Sequence, residues 1–453
     1  MQLKDKKVLV FGAGKSGISA IRLLQKLEAS VILYDSNDTL DVSHLQDQID
    51  IEKRFMLVTG ELADQFMDMV ELVILSPGIP IDLPEVERLR ARNIPIWGEI
   101  ELAYRYSKGR VIGITGTNGK TTTTSLVGHI MKTYFKEVYV VGNIGNPYTD
   151  IAFDTSDETV VVAEISSFQL ETIDQFKPVV SSILNISPDH LNRHHTMENY
   201  IHIKENITKN QTESELCVLN YEDEILRAMA KRLKTRVMFF SSERRLKEGL
   251  YLERDNILYA ENGSVQKICN VNEMKLLGKH NYENVMAAVG IAITIGVPFD
   301  YIKEAVTSFH AVEHRMEYVE TIAGVTYYND SKGTNPDAAI KAVQAMRRPT
   351  ILIGGGYDKG LEFDEWIESF DNKIKYLVLL GQTSEKIAQT ARKHGFHNII
   401  KVNSLKDAVR ISAEKAEPGD AVLLSPACAS WGMFENYEQR GKLFKEYVRE
   451  MLN

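Results

Sequence analysis

The sequence is most informative at residues 111–124, which read V-I-G-I-T-G-T-N-G-K-T-T-T-T. The β-branched apolar run at the start predicts a buried strand, and the glycines in Gly116–Gly119 permit a tight turn before a helix. This order is typical of a phosphate cradle, in which backbone N–H groups face an anion, Lys120 adds a positive charge and the Thr121 hydroxyl can hold Mg²⁺. Because Ile114 stands where the strict phosphate-loop spacing has its first glycine, an ordinary glycine-rich turn is the alternative.

Composition limits the class of protein. A length of 453 residues suggests about three domains. The net charge of -9 argues against a nucleic-acid-binding protein, which would ordinarily be basic. Three widely spaced cysteines favour a reducing compartment, and the longest apolar stretch, Val285–Phe299, is too short to cross a bilayer. We therefore expect a cytoplasmic enzyme without membrane insertion. We also expect a monomer.

The N-terminal region has the pattern of a Rossmann-like domain. A strand at Lys7–Phe11 leads into Gly12–Gly17, a full G-x-G-x-x-G, and Asp35 ends the next strand. The pattern fits NAD, with Asp35 on the ribose, or another nucleotide or sugar nucleotide on the helix N-terminus. The segment Ser76–Gly78, which reads Ser-Pro-Gly, follows a further strand. Ligands bind at this end of the strands in open α/β sheets, although a plain turn explains the segment equally well.

Polar residues follow two predicted strands of the central region. Glu164 ends the strand Thr159–Ala163, where a carboxylate could bind Mg²⁺ beside the phosphates or simply cap or pair. Asp189 and His190 follow the strand Val179–Asn185. These side chains are expected at the same edge of the sheet.

Several other polar residues have ordinary structural explanations. His194 and His195 are expected on a surface loop, although the local group of histidines also invites a transition-metal interpretation. Lys204 lies on a predicted helix and would usually be a solvated charge. Asn281 is expected to be the N-cap of the helix that contains Val285–Ile295.

The C-terminal region alternates strands and helices, which predicts a second Rossmann-like, parallel sheet. Within it, Asn335 is expected to cap a helix that begins at Pro336. The predicted fold class is α/β with three domains: a Rossmann-like N-terminal domain, a central P-loop ATPase-like domain with a parallel sheet, and a Rossmann-like C-terminal domain. One ATP site flanked by two binding domains favours an enzyme that joins two substrates over a kinase or a mechanical ATPase.

Six segments resemble the Mur ligases, the ATP-dependent enzymes that build the peptide of peptidoglycan. They are I-T-G-T-N-G-K-T-T (114–122), E-I-S-S-F-Q-L-E (164–171), N-I-S-P-D-H-L-N-R (185–193), G-K-H-N-Y-E-N (278–284), H-R-M-E (314–317) and N-D-S-K-G-T-N (329–335). Within the family, F-G-A-G-K-S-G, Ser76–Gly78 and S-P-A-C-A-S-W-G-M-F-E-N-Y-E-Q-R-G (425–441) resemble the member that adds D-glutamate. The diaminopimelate motif D-N-P-R is absent, since the chain has T-N-P-D ending at Asp337.

The resemblance implies two substrates, two cofactors and a set of residues. The substrates would be UDP-N-acetylmuramoyl-L-alanine and D-glutamate, and the cofactors would be ATP and Mg²⁺, with two Mg²⁺ sites and a carbamylated Lys204. The implied domains are 1–98 for the UDP-sugar, 99–313 for ATP and 314–453 for the amino acid. The implied catalytic residues are Lys120, Glu164, His190, Lys204 and Arg315. The implied metal ligands are Thr121, Glu164, His190 and Lys204. The implied ATP-binding residues are Gly116, Thr117, Asn118, Gly119, Lys120, Thr121, Thr122, Asn281, Asn284, Arg315, Asp330 and Lys332. The implied substrate-binding residues are Lys15, Ser16, Asp35, Ser36, Ser76, Pro77, Gly78, Asn143, Thr334, Lys359, Ser430 and Tyr437.

One departure and three alternatives accompany this resemblance. Family members often carry a basic residue where this chain has Asn37, which bears on the uracil contact. A sibling ligase that adds another amino acid, or a folate polyglutamylating enzyme, would share the central ATP site. A nucleotide-binding regulatory module would bind ATP without forming an amide.

Overall fold

The computed structural model describes residues 2–40, 45, 47–310 and 313–452. The chain separates into two compact units. The first unit comprises Met1–Asn270 and Glu283–Val306, and the second comprises Val271–Tyr282 and Thr307–Asn453. Three sheets of five, nine and six strands form the framework.

The first sheet is parallel throughout and has the strand order β3-β2-β1-β4-β5. Its strands are β1 (Lys7–Phe11), β2 (Ser30–Asp35), β3 (Phe55–Thr59), β4 (Leu72–Leu75) and β5 (Ile96–Gly98). Helices Lys15–Lys26, Asp64–Met67 and Pro84–Ala91 connect them. The order reverses direction between β1 and β4, so the loops that follow these two strands flank the crevice where open α/β sheets bind ligands.

The second sheet has nine strands in the order β14-β13-β12-β11-β10-β9-β6-β8-β7. Its strands are β6 (Arg110–Thr115), β7 (Val138–Gly142), β8 (Val160–Glu164), β9 (Val180–Ile183), β10 (Leu216–Asn220), β11 (Arg236–Ser241), β12 (Gly249–Glu253), β13 (Asn256–Glu261) and β14 (Ser264–Asn270). The seven strands β6 to β12 pair with one another in the parallel sense. Strands β12, β13 and β14 form an antiparallel ribbon. The central sheet is therefore parallel over most of its width and carries an antiparallel ribbon at one edge.

The remaining helices and 3₁₀ segments of the chain between β5 and residue 308 are as follows. The helices are Glu99–Tyr106, Lys120–Tyr134, Ser167–Leu170, Leu191–His194, Met197–Glu205, Glu224–Ala230, Lys279–Ile295 and Phe299–Ser308. The 3₁₀ segments are Tyr148–Asp154, Asn206–Thr208 and Val271–Glu273. No helix among the described residues combines the length and apolarity needed to cross a bilayer.

The third sheet lies in the second unit and has the order β15-β16-β20-β17-β18-β19. Its strands are β15 (Glu317–Ile322), β16 (Val325–Asn329), β17 (Thr350–Gly354), β18 (Ile374–Leu379), β19 (Ile399–Lys401) and β20 (Ala421–Leu424). The helices of this unit are Pro336–Ala345, Asp364–Glu368, Ser384–Lys393, Leu405–Lys415 and Tyr437–Glu450. Among the described strands of this sheet, only β15 pairs in the antiparallel sense. Because β16, β20 and β17 are neighbours, the loops after them meet at one edge.

Within the first unit, polar contacts join the helix after β1 to the segment after β7. Ser19 Oγ lies 2.6 Å from Thr149 Oγ1 and donates to Asp150 Oδ1 over 2.6 Å. Arg22 donates to the same carboxylate oxygen over 2.9 Å. The buried Glu99 accepts hydrogen bonds from the backbone N–H groups of residues 148 and 149. These contacts tie the first sheet to the second, and we define Ser19, Arg22, Glu99, Thr149 and Asp150 as the seam.

The α/β fold class is confirmed, with antiparallel additions at the edges of two sheets. The helix cap at Asn335 is also confirmed, because Asn335 Oδ1 accepts from Ala338 N over 2.9 Å. The cap predicted at Asn281 is wrong, because its helix begins earlier, at Lys279. The domain boundaries 1–98, 99–313 and 314–453 stay predictions.

Candidate functional site

The phosphate loop joins β6 to the helix Lys120–Tyr134 and depends on its glycines. Gly119 caps this helix with a left-handed φ of 85°. A Cβ atom at this position would lie 2.3 Å from Asn284 Oδ1, so only glycine fits without displacement. Asn118 N donates to Asn185 Oδ1 over 2.8 Å, which holds the tip of the loop. Thr121 is partly exposed near the helix N-terminus, whereas Thr122 is buried.

Two lysine ammonium groups share one carbonyl oxygen beside this loop. Lys120 Nζ donates to the carbonyl oxygens of Gly116 and Thr117, each over 2.9 Å. Lys204 Nζ also donates to Gly116 O over 2.9 Å, and to Thr115 Oγ1 over 3.4 Å. This pair concentrates positive charge at the helix N-terminus, which favours a polyanion.

Lys204 differs from a surface lysine in its burial. Its residue is 1% exposed, and its ammonium lies 4.9 Å from the centroid of the Tyr200 ring. Burial, together with the charge of Lys120, lowers the pKa of Lys204 to about 7. The expectation of a solvated charge on this helix is therefore wrong. The lowered pKa favours the neutral amine over the ammonium at this position.

Glu164 ends β8, beside the strand that leads into the phosphate loop. Its register partners are Ile114 on β6 and Gly142 on β7. Glu164 Oε1 accepts from Asn143 Nδ2 over 2.7 Å, whereas Oε2 is buried without a hydrogen-bond partner. A buried carboxylate oxygen without a donor fits a hard cation such as Mg²⁺. Within the described ranges, no group of three or more His, Cys, Asp and Glu residues forms a metal cluster by itself.

His190 lies at the start of the short helix Leu191–His194 with a left-handed φ of 51°. Its ring centroid is 4.9 Å from that of Phe168, and its backbone N–H donates to the carboxylate of Asp189. Arg193 covers Phe168, with its guanidinium carbon 4.9 Å from the ring centroid. The side chain of His190 is half exposed, and it stays a predicted metal ligand.

The surface position expected for two histidines holds for one of them. His195 is exposed and lies 3.1 Å from Asp82 Oδ2. His194 is buried, and its Nε2 lies 2.9 Å from Ser167 Oγ. Burial, with the neighbouring charge of Arg193, lowers the pKa of His194 to about 4, so its ring is neutral even though Glu171 Oε1 lies 3.4 Å away.

The loops after β1 and β4 meet at the crevice of the first sheet. Asp35 Oδ2 accepts from Ala13 N over 2.9 Å, so this carboxylate supports the glycine loop. Ser76 Oγ donates to Gly12 O over 3.3 Å, which links the two loops. Lys15 Nζ donates to Gly145 O over 2.7 Å. The other predicted residues here are all at least partly exposed: Ser16, Ser36, Pro77 and Gly78.

In the second unit, Asp330 is buried at the end of β16. Its carboxylate accepts from Ser425 Oγ over 2.7 Å and from Met316 N over 3.3 Å. Burial raises the pKa of Asp330 to about 7. Arg315 Nε is buried without a hydrogen-bond partner, and Lys332 Nζ lies 5.2 Å from the centroid of the Tyr437 ring.

The predicted amino-acid-binding residues lie on the loops after β16, β17 and β20. Thr334 is partly buried beside Lys332, to whose carbonyl its backbone N–H donates over 2.9 Å. Ser430 is buried, whereas Lys359 is exposed and lies over the ring of Trp431. Sequence reasoning did not assign a role to Trp431.

Sequence reasoning also missed Arg440, which joins two of these loops. Its buried guanidinium donates to Ser331 Oγ over 2.9 Å, to Ser331 O over 2.7 Å and to Cys428 O over 3.1 Å. An arginine within a helix carries no sequence signal for such a role. Asn281, which is predicted to contact ATP, donates from Nδ2 to Leu277 O over 2.7 Å, two residues before its helix begins.

Three family models match the chain in order. They are described as the Mur ligase MurD-like N-terminal domain at residues 6–98, the Mur ligase middle domain at 114–292, and the Mur ligase glutamate ligase domain at 314–428. Solved structures share the fold. UDP-N-acetylmuramate-alanine ligase MurC from Thermotoga maritima matches with a TM-score of 0.60 and 20% identity, over 98% of this chain and 99% of that chain. The MurF ligase from Thermotoga maritima in complex with ADP matches with a TM-score of 0.59 and 18% identity, over 99% and 96%.

Curated relatives match over the full length. A UDP-N-acetylmuramoylalanine--D-glutamate ligase from Lachnoclostridium phytofermentans is 57% identical over 100% of this chain and 99% of its own. The protein of the same name from Lachnospira eligens is 54% identical over 100% of both chains. Identity at this level over the whole length, with all three family models in order, confirms the predicted resemblance. This chain belongs to the Mur ligase family.

Proposed function

We propose that the chain is an ATP-dependent ligase that adds D-glutamate to UDP-N-acetylmuramoyl-L-alanine, forming ADP and phosphate, in peptidoglycan precursor synthesis. The observation that carries the proposal is the 57% identity to a named D-glutamate ligase over the full length of this chain. Lys120 supplies matching chemistry, because its ammonium lies on the phosphate loop at a helix N-terminus, where an anion is favoured. We further propose that the enzyme acts in the cytoplasm as a monomer.

The reaction divides into two displacements. The terminal L-alanine carboxylate attacks the γ-phosphorus of ATP, the bond to the β,γ-bridging oxygen breaks, and ADP leaves. The D-glutamate amine then attacks the carbonyl carbon of the acyl phosphate, a tetrahedral intermediate forms, and inorganic phosphate leaves after the amine loses a proton. We assign Lys120 and Arg315 to stabilise the negative charge that the transferring phosphoryl group carries.

We assign four residues to two Mg²⁺ sites: Thr121, Glu164, His190 and a carbamylated Lys204. Support comes from the unpartnered Glu164 Oε2, since a carboxylate oxygen is the ligand type that Mg²⁺ prefers. Bound Mg²⁺ would screen the charge of the phosphates. Asn143 holds the other carboxylate oxygen of Glu164 and so orients this side chain.

The resemblance implies a carbamate on Lys204, and the burial of this amine supports the assignment. The Lys204 Nζ lone pair attacks the carbon of CO₂, an N–C bond forms, and one proton is released. The product carries one negative charge on oxygen and so becomes a hard ligand in place of a cation. The low pKa of Lys204, about 7, supports this step because it supplies neutral amine near neutral pH.

The remaining residues are assigned by substrate. For ATP they are Gly116, Thr117, Asn118, Gly119, Thr122, Asn281, Asn284, Asp330 and Lys332. For the sugar nucleotide they are Lys15, Ser16, Asp35, Ser36, Ser76, Pro77, Gly78 and Asn143. For D-glutamate they are Thr334, Lys359, Ser430 and Tyr437. The position of the glycine loop and Ser76 at the crevice between β1 and β4 supports the second set.

The test is phosphate release from ATP with UDP-N-acetylmuramoyl-L-alanine and Mg²⁺, measured against a panel of amino acids. Release that depends on D-glutamate is the expected result, and Lys120→Ala should reduce it at least about 100-fold. Release with another amino acid would keep the family chemistry and refute the substrate. ATP binding without release under any condition would support a regulatory module instead.

The carbamate has its own test. Lys204→Ala should be nearly inactive and should recover activity when a short-chain carboxylate is added, because the free acid replaces the missing ligand. Lys209→Ala is the control, since Lys209 is an exposed lysine five positions further along the chain. Full activity of Lys204→Ala without added acid would remove the carbamate from the mechanism.

A further inference from the structure

An aromatic pair lies beside a predicted amino-acid-binding lysine in the second unit. Trp431 follows Ser430 directly and is 53% exposed. Lys359 Nζ lies 4.6 Å from the centroid of the Trp431 ring. The Tyr357 ring meets Trp431 in an edge-to-face arrangement, with centroids 5.6 Å apart. Lys359 therefore makes a cation–π contact with a ring that a second aromatic side chain supports.

The backbone fixes the two loops that carry this contact. Tyr357 N donates to Ala429 O over 2.9 Å, and the two residues form an isolated antiparallel bridge. Asp358 Oδ1 accepts from Gly360 N over 2.8 Å, which tightens the turn that contains Lys359. These main-chain contacts place the loop that carries Lys359 beside the loop that carries Trp431.

We propose that Trp431 is a positioning residue that holds the Lys359 ammonium for a carboxylate of the incoming amino acid. This inference rests on the proposed function. A lysine on an exposed loop ordinarily samples many rotamers, and ordering them opposes binding. A ring face attracts the ammonium without neutralising it, because the ring carries a quadrupole and no net charge. A carboxylate partner would instead compete with the amino acid for the same cation.

Steady-state kinetics at saturating ATP and UDP-N-acetylmuramoyl-L-alanine provide the first test. Trp431→Leu should raise KM for D-glutamate about two- to fivefold and leave KM for ATP unchanged. Trp431→Phe keeps a ring face and should stay close to wild type. Tyr447→Leu is a matched control, because it removes the contact between Lys406 and the Tyr447 ring, at 5.5 Å in the same unit, and should change neither constant.

A double-mutant cycle separates positioning from packing. In a Lys359→Met background, the change Trp431→Leu should give no further increase in KM, because no ammonium remains to be held. A purely structural role would give the same increase in both backgrounds, and that result would overturn the proposal. An unchanged KM in Trp431→Leu alone would also overturn it.

Tryptophan fluorescence tests the contact without turnover. Of the three tryptophans, Trp97 and Trp366 are 4% and 0% exposed, so iodide reaches chiefly Trp431. Because the nearby ammonium attracts this anion, Lys359→Met should reduce iodide quenching, whereas quenching by neutral acrylamide should not fall. Equal iodide quenching in both proteins would overturn the contact. Failure of wild-type protein to release phosphate with D-glutamate would refute the proposed function separately, since the quenching comparison requires no activity.

Discussion

Replacement of Lys204 by methionine should abolish ligation and at the same time stabilise the fold. Burial lowers the pKa of this lysine from 10.5 to about 7. Since one pKa unit corresponds to about 1.4 kcal/mol, a charged Lys204 destabilises the native state by up to about 5 kcal/mol. Methionine has a similar length and no charge, and Gly116 O keeps its hydrogen bond from Lys120. After subtracting the polar contacts that Lys204 loses, we expect the free energy of unfolding of Lys204→Met to exceed that of wild type by about 2–4 kcal/mol at pH 7.

The pH dependence gives this prediction its sign. Below pH 7 both the native and the unfolded chains are protonated at Lys204, so the destabilisation is fully present. Between pH 7 and 10.5 the unfolded chain binds more protons, so the stability of the wild-type protein rises by up to about 1.4 kcal/mol per pH unit from this group. The advantage of the methionine variant should therefore shrink as the pH rises.

The assay is urea unfolding in buffer free of CO₂ and Mg²⁺, at pH 7, 8 and 9, so that the lysine is a free amine. Lys209→Met is the control, and its stability should stay within about 0.5 kcal/mol of wild type because this lysine is exposed. A Lys204→Met variant that is less stable than wild type, or whose advantage does not change with pH, would refute the reasoning.

Three further predictions concern packing and protonation. Gly17→Ala should lower stability by about 2–3 kcal/mol, because its Cβ would lie 2.0 Å from Gly12 O, whereas Gly14→Ala, with open space around it, should leave the melting temperature nearly unchanged. The free energy of unfolding of the wild-type protein should fall as the pH drops from 6.5 towards 4, because the unfolded chain protonates His194 before the native chain does. In thermal unfolding, this decrease should be smaller for His194→Phe by up to about 3 kcal/mol. Arg440→Lys should cost about 2 kcal/mol in denaturant unfolding, because a lysine cannot reproduce the forked contacts with Ser331 and Cys428, and equal stability would contradict this role.

Local chemistry was sufficient for several predictions. The phosphate loop can be predicted from sequence because the turn after the β-branched run needs residues that tolerate unusual backbone conformations. Gly116 and Gly119 have φ of 148° and 85°. The cap at Asn335 can be predicted because the capping residue, the proline at the first helical position and the helix follow one another directly in the sequence. In both cases the interacting groups lie within a few residues of each other.

Other features depend on contacts between distant residues. Lys204 looks like a surface charge until the fold brings it to Gly116 O, 88 positions away along the chain. His194 is buried because its ring packs near Phe168 and Tyr200, which no local pattern indicates. Composition and spacing therefore place such residues on an element but cannot give their environment.

Turn chemistry also limits what the sequence indicates. Between β12 and β13 the chain turns at Arg254 and Asp255, which have φ of 47° and 61°. Two-residue hairpin turns of this kind usually contain glycine, and this one does not. Asn281 was misassigned because Gly278, with a φ of 92°, precedes an earlier helix start.

The seam between the first two sheets has a consequence for substrate choice. Because Ser19 and Arg22 contact Asp150 while Glu99 binds the backbone of the same segment, the crevice after β1 and the Glu164 carboxylate lie in one compact unit. Under the proposed assignment of the sites, an acceptor whose nucleotide binds at the crevice needs the right length for its carboxylate to reach the phosphate loop, and truncated acceptors should bind yet fail to react.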